Sequence, residues 1–288
     1  MTSLVSLSLV SLLLAPAPAA PPSRAPALEI SGGELHDGAG GVIKGATIVV
    51  RDGKIVGVGG PELKGRQTGA VTAIDATGKV ITPGLVAADT RLGLVEIGLE
   101  GSTRDDSRAT EHPIRASYDA SRAINAESAL IQVQAIAGVT TAAVAPGGGL
   151  LSGQVAWIDL VHGDHRGALV RAGVAVHGSL GQAYGGSRAE TVAKLREVLS
   201  DAQLFRTRKA AYERAQSRPF AAHPLDLEAL QPALAGQVPL TLAADRVSDI
   251  LAAIDLAREF RLRLVILGGA EAWKVAPELA AAKVGEAC

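Results

Sequence analysis

The stretch that decides the fold is Val80-Ile81-Thr82-Pro83-Gly84-Leu85-Val86-Ala87-Ala88-Asp89-Thr90-Arg91-Leu92-Gly93. An apolar run broken by Pro83-Gly84 leads here into a polar end that carries Asp89 and Arg91. The run Val80–Ala88 is typical of a buried strand. Patterns of short strands precede it, and alternating strand and helix patterns follow it, which indicates a parallel sheet with right-handed crossovers. The stretch therefore predicts the start of an α/β domain behind a small all-β module.

The segment Ala27–Lys79, before this stretch, predicts the all-β module. Ala46–Arg51 and Lys54–Val58 flank Asp52-Gly53, which is a strong signal for a two-residue hairpin turn. Val71–Asp75 has the pattern of a further short strand. A module of about fifty residues buries little apolar surface by itself, so we expect it to pack on something larger.

The first residues predict export. Leu4–Leu14 is an apolar run of the length found in signal peptides, and it is too short to span a bilayer. Ala17-Pro18-Ala19 offers a cleavage pattern, so residues 1–19 are interpreted as a signal peptide, with an uncleaved anchor as the alternative. Residues 20–26 are interpreted as a proline-rich linker. We expect a periplasmic or extracellular protein with no membrane attachment after signal cleavage.

The composition disfavours several classes of function. The 288-residue chain has a formal net charge of −1, 3% aromatic residues and one cysteine, Cys288. A charge near zero and few aromatic rings argue against nucleic-acid binding. One cysteine allows neither an intrachain disulfide nor a cysteine-rich metal site. A small-molecule substrate or ligand is the expected partner, and the oligomeric state is left open.

Residues 80–288 predict a barrel-like domain with about five strands. The predicted strands are Val80–Ala88, Val139–Ala145, Val174–His177, Pro239–Ala243 and Arg263–Leu267. The predicted helices are about Ser187–Gln216, Asp226–Leu234, Val247–Phe260 and Glu271–Lys283, and Trp157–Val170 resembles a hairpin insertion. A closed barrel has eight strands, so we expect an incomplete one. Because Val284–Cys288 lacks the apolar run of a further strand, we interpret this end as that of a truncated or frameshifted fragment.

Two ordered segments resemble a known family. Gly45–Gly59 and Ile74–Gly84, at this spacing, are similar to the N-terminal module of the amidohydrolase superfamily and its entry into the first barrel strand. The resemblance extends from about Ala27 to Lys283. It implies a TIM-type (β/α)8 barrel beside a small N-terminal β-sandwich. It also implies hydrolysis of a non-peptide C–N bond of a small molecule by one or two divalent metal ions, with zinc expected.

The metal-ligand positions that this resemblance implies are substituted. The His-x-His pair of the first strand is replaced by Asp89 and Arg91, and two later histidines correspond to Ala243 and Gly268. Arg91 cannot bind a cation because its charged guanidinium has no available lone pair. The family's general-base aspartate on the last strand would lie beyond Cys288. We therefore predict that the chain has no metal site, and we assign it no cofactor.

Asp89, Arg91 and His177 remain the candidate site residues. Side chains at the C-terminal ends of barrel strands line the mouth of the barrel, where Arg91 could supply the missing positive charge and bind a carboxylate or phosphate. Alternatively, Asp89 and Arg91 only pair with neighbouring charges, and His177 is a satisfied, partly buried histidine. The possible partners are Arg104, Asp105 and Asp106.

A glycine-rich loop, Pro146–Gly149, follows the second predicted strand. It could expose backbone N–H groups to an anion or form a tight loop over the barrel mouth. The chain has neither a P-loop lysine motif nor a Gly-x-Ser-x-Gly elbow, so nucleotide binding and serine-hydrolase chemistry lack support. Two hypotheses follow: a hydrolase with a rebuilt site, and a pseudoenzyme that binds a small anion.

Overall fold

The computed structural model describes residues 26–106, 112–181, 184, 186–214, 216 and 218–287. Contacts within the chain divide it into unit 1, residues 1–83, and unit 2, residues 84–288. The proposed signal peptide and most of the linker lie outside the described residues and stay predictions. In the described part of the chain, no helix is both long and apolar enough to cross a membrane.

Unit 1 is built on one five-stranded sheet, in which β3, β2, β1 and β4 follow one another and β5 also pairs with β1. The strands are β1 Ala27–His36, β2 Val42–Arg51, β3 Lys54–Gly59, β4 Val71–Asp75 and β5 Val80–Ile81, with a 3-10 helix at Pro61–Leu63. The predicted hairpin is confirmed, since Arg51 lies opposite Lys54. Asp52 and Gly53 have φ of 49° and 72°, as a type I′ turn requires. The described residues of unit 1 form a single sheet, so the sandwich stays a prediction.

The structure divides the fold-deciding stretch at Pro83-Gly84. The prediction of one strand over Val80–Ala88 is wrong, because β5 pairs with β1 whereas β6, Leu85–Thr90, pairs with a strand of unit 2. Proline offers no N–H to a strand ladder. A Cβ on Gly84 would lie 2.1 Å from Thr140 Oγ1, so this position requires glycine. These two residues therefore separate one sheet from the next.

Unit 2 contains a seven-stranded sheet in the order β12-β11-β10-β9-β8-β7-β6. Its other strands are β7 Val139–Val144, β8 Leu151–Asp159, β9 Leu169–Ser179, β10 Leu240–Ala244, β11 Leu264–Gly268 and β12 Gly285–Ala287. The predicted count of five strands is therefore too low. β8 runs antiparallel to both β7 and β9, and the remaining pairs are parallel.

The two strands that the sequence did not predict have different physical explanations. β8 is buried along most of its length, so it lacks the alternation of polar and apolar residues by which a strand is recognised. β8 is a full member of the sheet. The segment Trp157–Val170, predicted to be a hairpin insertion, consists of the end of β8, the turn that follows it and the start of β9. β12 is short and polar, but its backbone pairs with β11 from Gly285 to Ala287. The prediction that no strand follows Lys283 is therefore wrong.

Helices cover the sheet of unit 2. They are α1 Ala129–Ile136, α2 Arg188–Glu213, α3 Pro224–Ala229, α4 Gln231–Leu234, α5 Val247–Phe260 and α6 Ala276–Ala281, with 3-10 turns at Gly101–Thr103, Ala120–Arg122 and Ala272–Val275. α5 has the predicted bounds. The helix predicted at Asp226–Leu234 is instead two short helices, and Pro232 stands at the start of the second, where its missing N–H is tolerated.

The core of unit 2 differs in size on the two faces of the sheet. Between sheet and helices, Leu195 and Leu199 of α2 belong to the same buried cluster as Ile250 and Ile254 of α5. A separate small cluster consists of Ala143, Ala145, Val155 and Ala175. Ala88 of β6 and Leu267 of β11 line one cavity with these residues, so strands near opposite edges of the sheet approach each other. Unit 2 is therefore an α/β domain with a nearly closed, barrel-like sheet.

Candidate functional site

His177 lies near the end of β9, where it stands opposite Thr241 of β10. The residue is 5% exposed, and its Nδ1 is 3.0 Å from Thr241 Oγ1. Burial lowers the pKa of His177 from its ordinary value of 6.5 to about 4, while the charge of Asp89 opposes this shift and that of Arg91 adds to it. The imidazole is therefore neutral at physiological pH. Because both charges act on this ring, the structure brings the three predicted residues to one end of the sheet.

Arg91 is held by a buried carboxylate. Its Nε lies 3.3 Å from Asp106 Oδ2, and Arg104 donates to the same carboxylate from Nε at 3.2 Å and from Nη2 at 3.0 Å. The Asp106 side chain is 3% exposed, whereas that of Arg91 is 48% exposed. Arg91 thus has one of the partners that the alternative interpretation named, and half of its side chain still faces solvent. It can donate further hydrogen bonds to an anion.

The glycine-rich loop closes on this ion pair. The Gly147 N–H donates to the backbone oxygen of Asp106 at 2.6 Å. A Cβ on Gly147 would lie 2.8 Å from Arg91 Nε and 3.0 Å from Asp106 Oδ2, so glycine is the residue that leaves room for the guanidinium. The loop therefore acts here as a tight cover beside Arg91, which is the second of its two predicted roles.

Asp89, like Arg91, is accessible to solvent. It lies in β6 and is exposed. Within the described residues, neither a hydrogen bond nor an ion pair to its carboxylate is present, and its charge acts on His177. This carboxylate is therefore available to accept a proton or a hydrogen bond from a ligand at the mouth.

The divalent metal that the amidohydrolase resemblance implies does not fit the donor atoms of this mouth. Ala243 lies in β10 and Gly268 ends β11, so these two positions offer no ligating side chain. Gly268 has a φ of 82°, and a Cβ there would lie 2.8 Å from Asp245 Oδ1. Across the described residues, no three His, Cys, Asp or Glu side chains come together as a metal site would need. No step of a reaction is therefore assigned to a metal.

Substitution Gly268→Ala should lower the free energy of unfolding by about 1–2 kcal/mol, because an L-residue is strained at positive φ. The added Cβ would also displace the Asp245 carboxylate. Gly98→Ala is the matched control, because a Cβ at Gly98 meets nothing within 4 Å. Urea denaturation of both variants measures the difference. Equal stability of the two variants would show that the β11 end accommodates a side chain, as a ligand there would require.

Sequence reasoning missed Thr241, which is the hydrogen-bonding partner of His177. Thr241 precedes Ala243 by two residues in β10, so the two side chains lie on one face of the strand. This spacing of two residues could have placed Thr241 on the same face of the strand as the candidate position Ala243. The pairing of β9 with β10 was not visible in the sequence, because long segments of α-helix separate the two strands.

The described residues of unit 2 form an α/β domain with a nearly closed, barrel-like sheet, and Asp89, Arg91 and His177 lie at one end of it. No protein-family profile and no curated protein matches the chain. Among solved structures, it is similar to an amidohydrolase from Thermotoga maritima MSB8, with a TM-score of 0.77 and 24% identity over 90% of this chain and 69% of that one. This likeness confirms the amidohydrolase resemblance at the level of the fold.

Two further solved structures are similar with lower scores. One is a molinate hydrolase, with a TM-score of 0.45 and 18% identity over 92% of this chain and 63% of that one. The other is an N-acyl-D-glutamate deacylase from Bordetella bronchiseptica, with a TM-score of 0.40 and 16% identity over 90% of this chain and 57% of that one. The chain thus spans between 57% and 69% of the lengths of these three proteins.

Proposed function

We propose that this chain is a hydrolase of the amidohydrolase superfamily that cleaves a non-peptide C–N bond of a small molecule without the superfamily's metal. The observation that carries the proposal is the convergence of Asp89, Arg91 and His177 at one end of a sheet with an amidohydrolase fold. In barrel enzymes, the C-terminal strand ends are where substrates bind. The likeness to the Thermotoga amidohydrolase supports the reaction class by analogy only.

The chemistry follows from the side chains present. Asp89 accepts a proton from water as general base, and the water oxygen attacks the carbonyl carbon of the substrate. Arg91 donates hydrogen bonds to the oxygen on which negative charge develops. The C–N bond then breaks, and the leaving nitrogen receives the proton. His177 is neutral near pH 7, so it supplies a polar wall and not a second positive charge.

A second candidate function is binding of a small anion without catalysis. The specific observation in its favour is that His177, the one histidine of the mouth group, has a pKa of about 4 and is therefore a weak proton acceptor at neutral pH. Arg91 provides an accessible positive charge there, held in place by Asp106. A protein with this second function would bind the anion at the mouth and release it unchanged.

Turnover of an amide, a lactam and a dipeptide by the purified chain, measured with and without EDTA, separates the two functions. If the chain is a metal-free hydrolase, we expect turnover by the wild type to persist in EDTA and turnover by Asp89→Ala to be absent. If the chain only binds an anion, we expect no turnover. We then expect Arg91→Ala to weaken acetate binding about tenfold, because a charge-assisted hydrogen bond contributes about 1.5 kcal/mol or more.

Arg166→Ala is the matched control for the arginine variant, since Arg166 is exposed in the turn between β8 and β9. This control should leave both turnover and acetate binding unchanged. Turnover that EDTA abolishes would contradict the metal-free reaction. Acetate binding that is equal in Arg91→Ala and the wild type would contradict the anion contact.

A further inference from the structure

The concave face of the unit 2 sheet holds a cavity of about 190 Å³. Six strands, β6 to β11, line it, and the contributing residues are mostly small or apolar. They are Ala88, Ala143, Ala145, Val155, Trp157, Val174, Ala175, Thr241 and Leu267, together with Pro239. Such an interior is normally filled by layers of bulky branched side chains. Here four alanines occupy lining positions, so the space is left open.

The size and chemistry of this cavity indicate what it can hold. An engineered apolar cavity of about 150 Å³ in another protein binds benzene, which shows that a space of this order accepts one six-membered ring. The present cavity is somewhat larger. Its lining offers few polar groups, with the Thr241 hydroxyl and the Trp157 indole N–H as the side-chain donors. A charged group would lose its hydration there without compensation, whereas an apolar group would gain by leaving water.

The cavity adjoins the candidate site. Thr241 lines the cavity, and its Oγ1 is 3.0 Å from His177 Nδ1. Ala88, also a lining residue, directly precedes Asp89 in β6. A molecule whose apolar part fills the cavity would therefore have its polar end near the charged mouth.

We propose that this cavity is a binding site for an apolar group the size of one benzene ring, and that the ligand of the mouth is a small anion or amide carrying such a group. The second half of the proposal rests on the proposed function, whereas the first half does not. Benzene alone therefore tests the cavity, and benzoate tests the connection between cavity and mouth.

The two tryptophans of the chain make the cavity directly observable. Trp157 lines it, whereas Trp273 is 74% exposed and lies outside it, next to Lys274. In a Trp273→Phe background, the tryptophan fluorescence comes from Trp157 alone. Benzene at several times its Kd should shift this emission and raise the melting temperature by about 2–4 °C, and bromobenzene should quench the emission by contact.

Filling the cavity should remove these effects. Ala143→Leu and, separately, Ala145→Leu place additional carbon atoms in the cavity, and both variants should show no benzene-dependent change. Two sites are used because overpacking can destabilise one of them. Ala281→Leu, an exposed position in α6, is the matched control and should respond to benzene as the wild type does. Absence of any benzene response in the wild type, or a response that persists in both filled variants, would overturn the cavity site.

Benzoate distinguishes failure of the cavity from failure of the mouth. We expect benzoate to bind at least tenfold more tightly than acetate, and Arg91→Ala to weaken benzoate binding while leaving benzene binding unchanged. Benzene binding without any gain for benzoate over acetate would overturn the proposed ligand class and leave the apolar site standing. Loss of benzene binding in Arg91→Ala would show that the mouth and the cavity are not separate sites.

Discussion

Lowering the pH from 6.5 to about 4 should lower the free energy of unfolding by about 3 kcal/mol through protonation of His177 alone. Burial holds the pKa of His177 at about 4 in the folded state, below the value of 6.5 for an exposed histidine. Between these two pH values the unfolded state binds the additional proton, so the free energy of unfolding falls as the pH falls. Above pH 6.5 the ring is neutral in both states, and this group adds no pH dependence.

Urea denaturation of the wild type and of His177→Asn, at several pH values between 4 and 7, isolates this contribution. Asparagine retains a polar atom for Thr241 and does not titrate. Carboxylates contribute equally to both proteins, so the difference between the two stability curves belongs to His177. The curves should converge as the pH falls, because only the wild type loses this term. Parallel curves across the whole range would mean that the folded ring protonates as readily as an exposed one.

Substitution Asp106→Ala should lower the free energy of unfolding by about 2 kcal/mol. The Asp106 carboxylate is buried and receives hydrogen bonds from Arg104, and Arg91 is ion-paired to it. Removing it leaves two cations without their shared partner. Both arginines are partly exposed and can regain water, which keeps the loss below that of a fully buried pair. Chemical denaturation measures the loss directly.

The same substitution should weaken acetate binding at the mouth, because Arg91 then has no fixed position from which to donate. Asp255→Ala is the matched control: Asp255 is 71% exposed and lies 3.7 Å from Arg258, so its removal should change stability by less than about 0.5 kcal/mol. A loss for Asp106→Ala as small as that of the control would show that this ion-pair group does not stabilise the fold. Unchanged acetate binding would show that Arg91 needs no support from Asp106.

Features with a local physical cause could be predicted from the sequence. The hairpin of β2 and β3 follows from Asp52-Gly53, because few other residue pairs accept two left-handed backbone conformations in succession. The helix α5 follows from its apolar periodicity, with seven of its residues buried on one side. It was equally visible that Arg91, Ala243 and Gly268 cannot bind a metal, since a side chain without a lone pair cannot become a ligand in any fold.

Features that depend on pairing between distant segments could not be predicted. β8 could not be recognised from the sequence because both of its faces are buried. β12 could not be recognised because only its backbone hydrogen bonds to β11 define it as a strand. The neutral state of His177 results from burial between β9 and β10, and the position of Arg91 results from Asp106 and the loop at Gly147. None of these causes leaves a pattern within a short window of sequence.

The sequence by itself thus determined the strand and helix patterns of the second unit, and it showed that Arg91, Ala243 and Gly268 cannot bind a metal through their side chains. Only the tertiary structure decided how many strands the sheet has, which partner holds Arg91 and that four alanines leave a cavity beside His177. The physical reason is that backbone propensity and ligand chemistry belong to single residues or short segments. Burial, charge proximity and cavity volume belong to residues that meet only when the chain has folded.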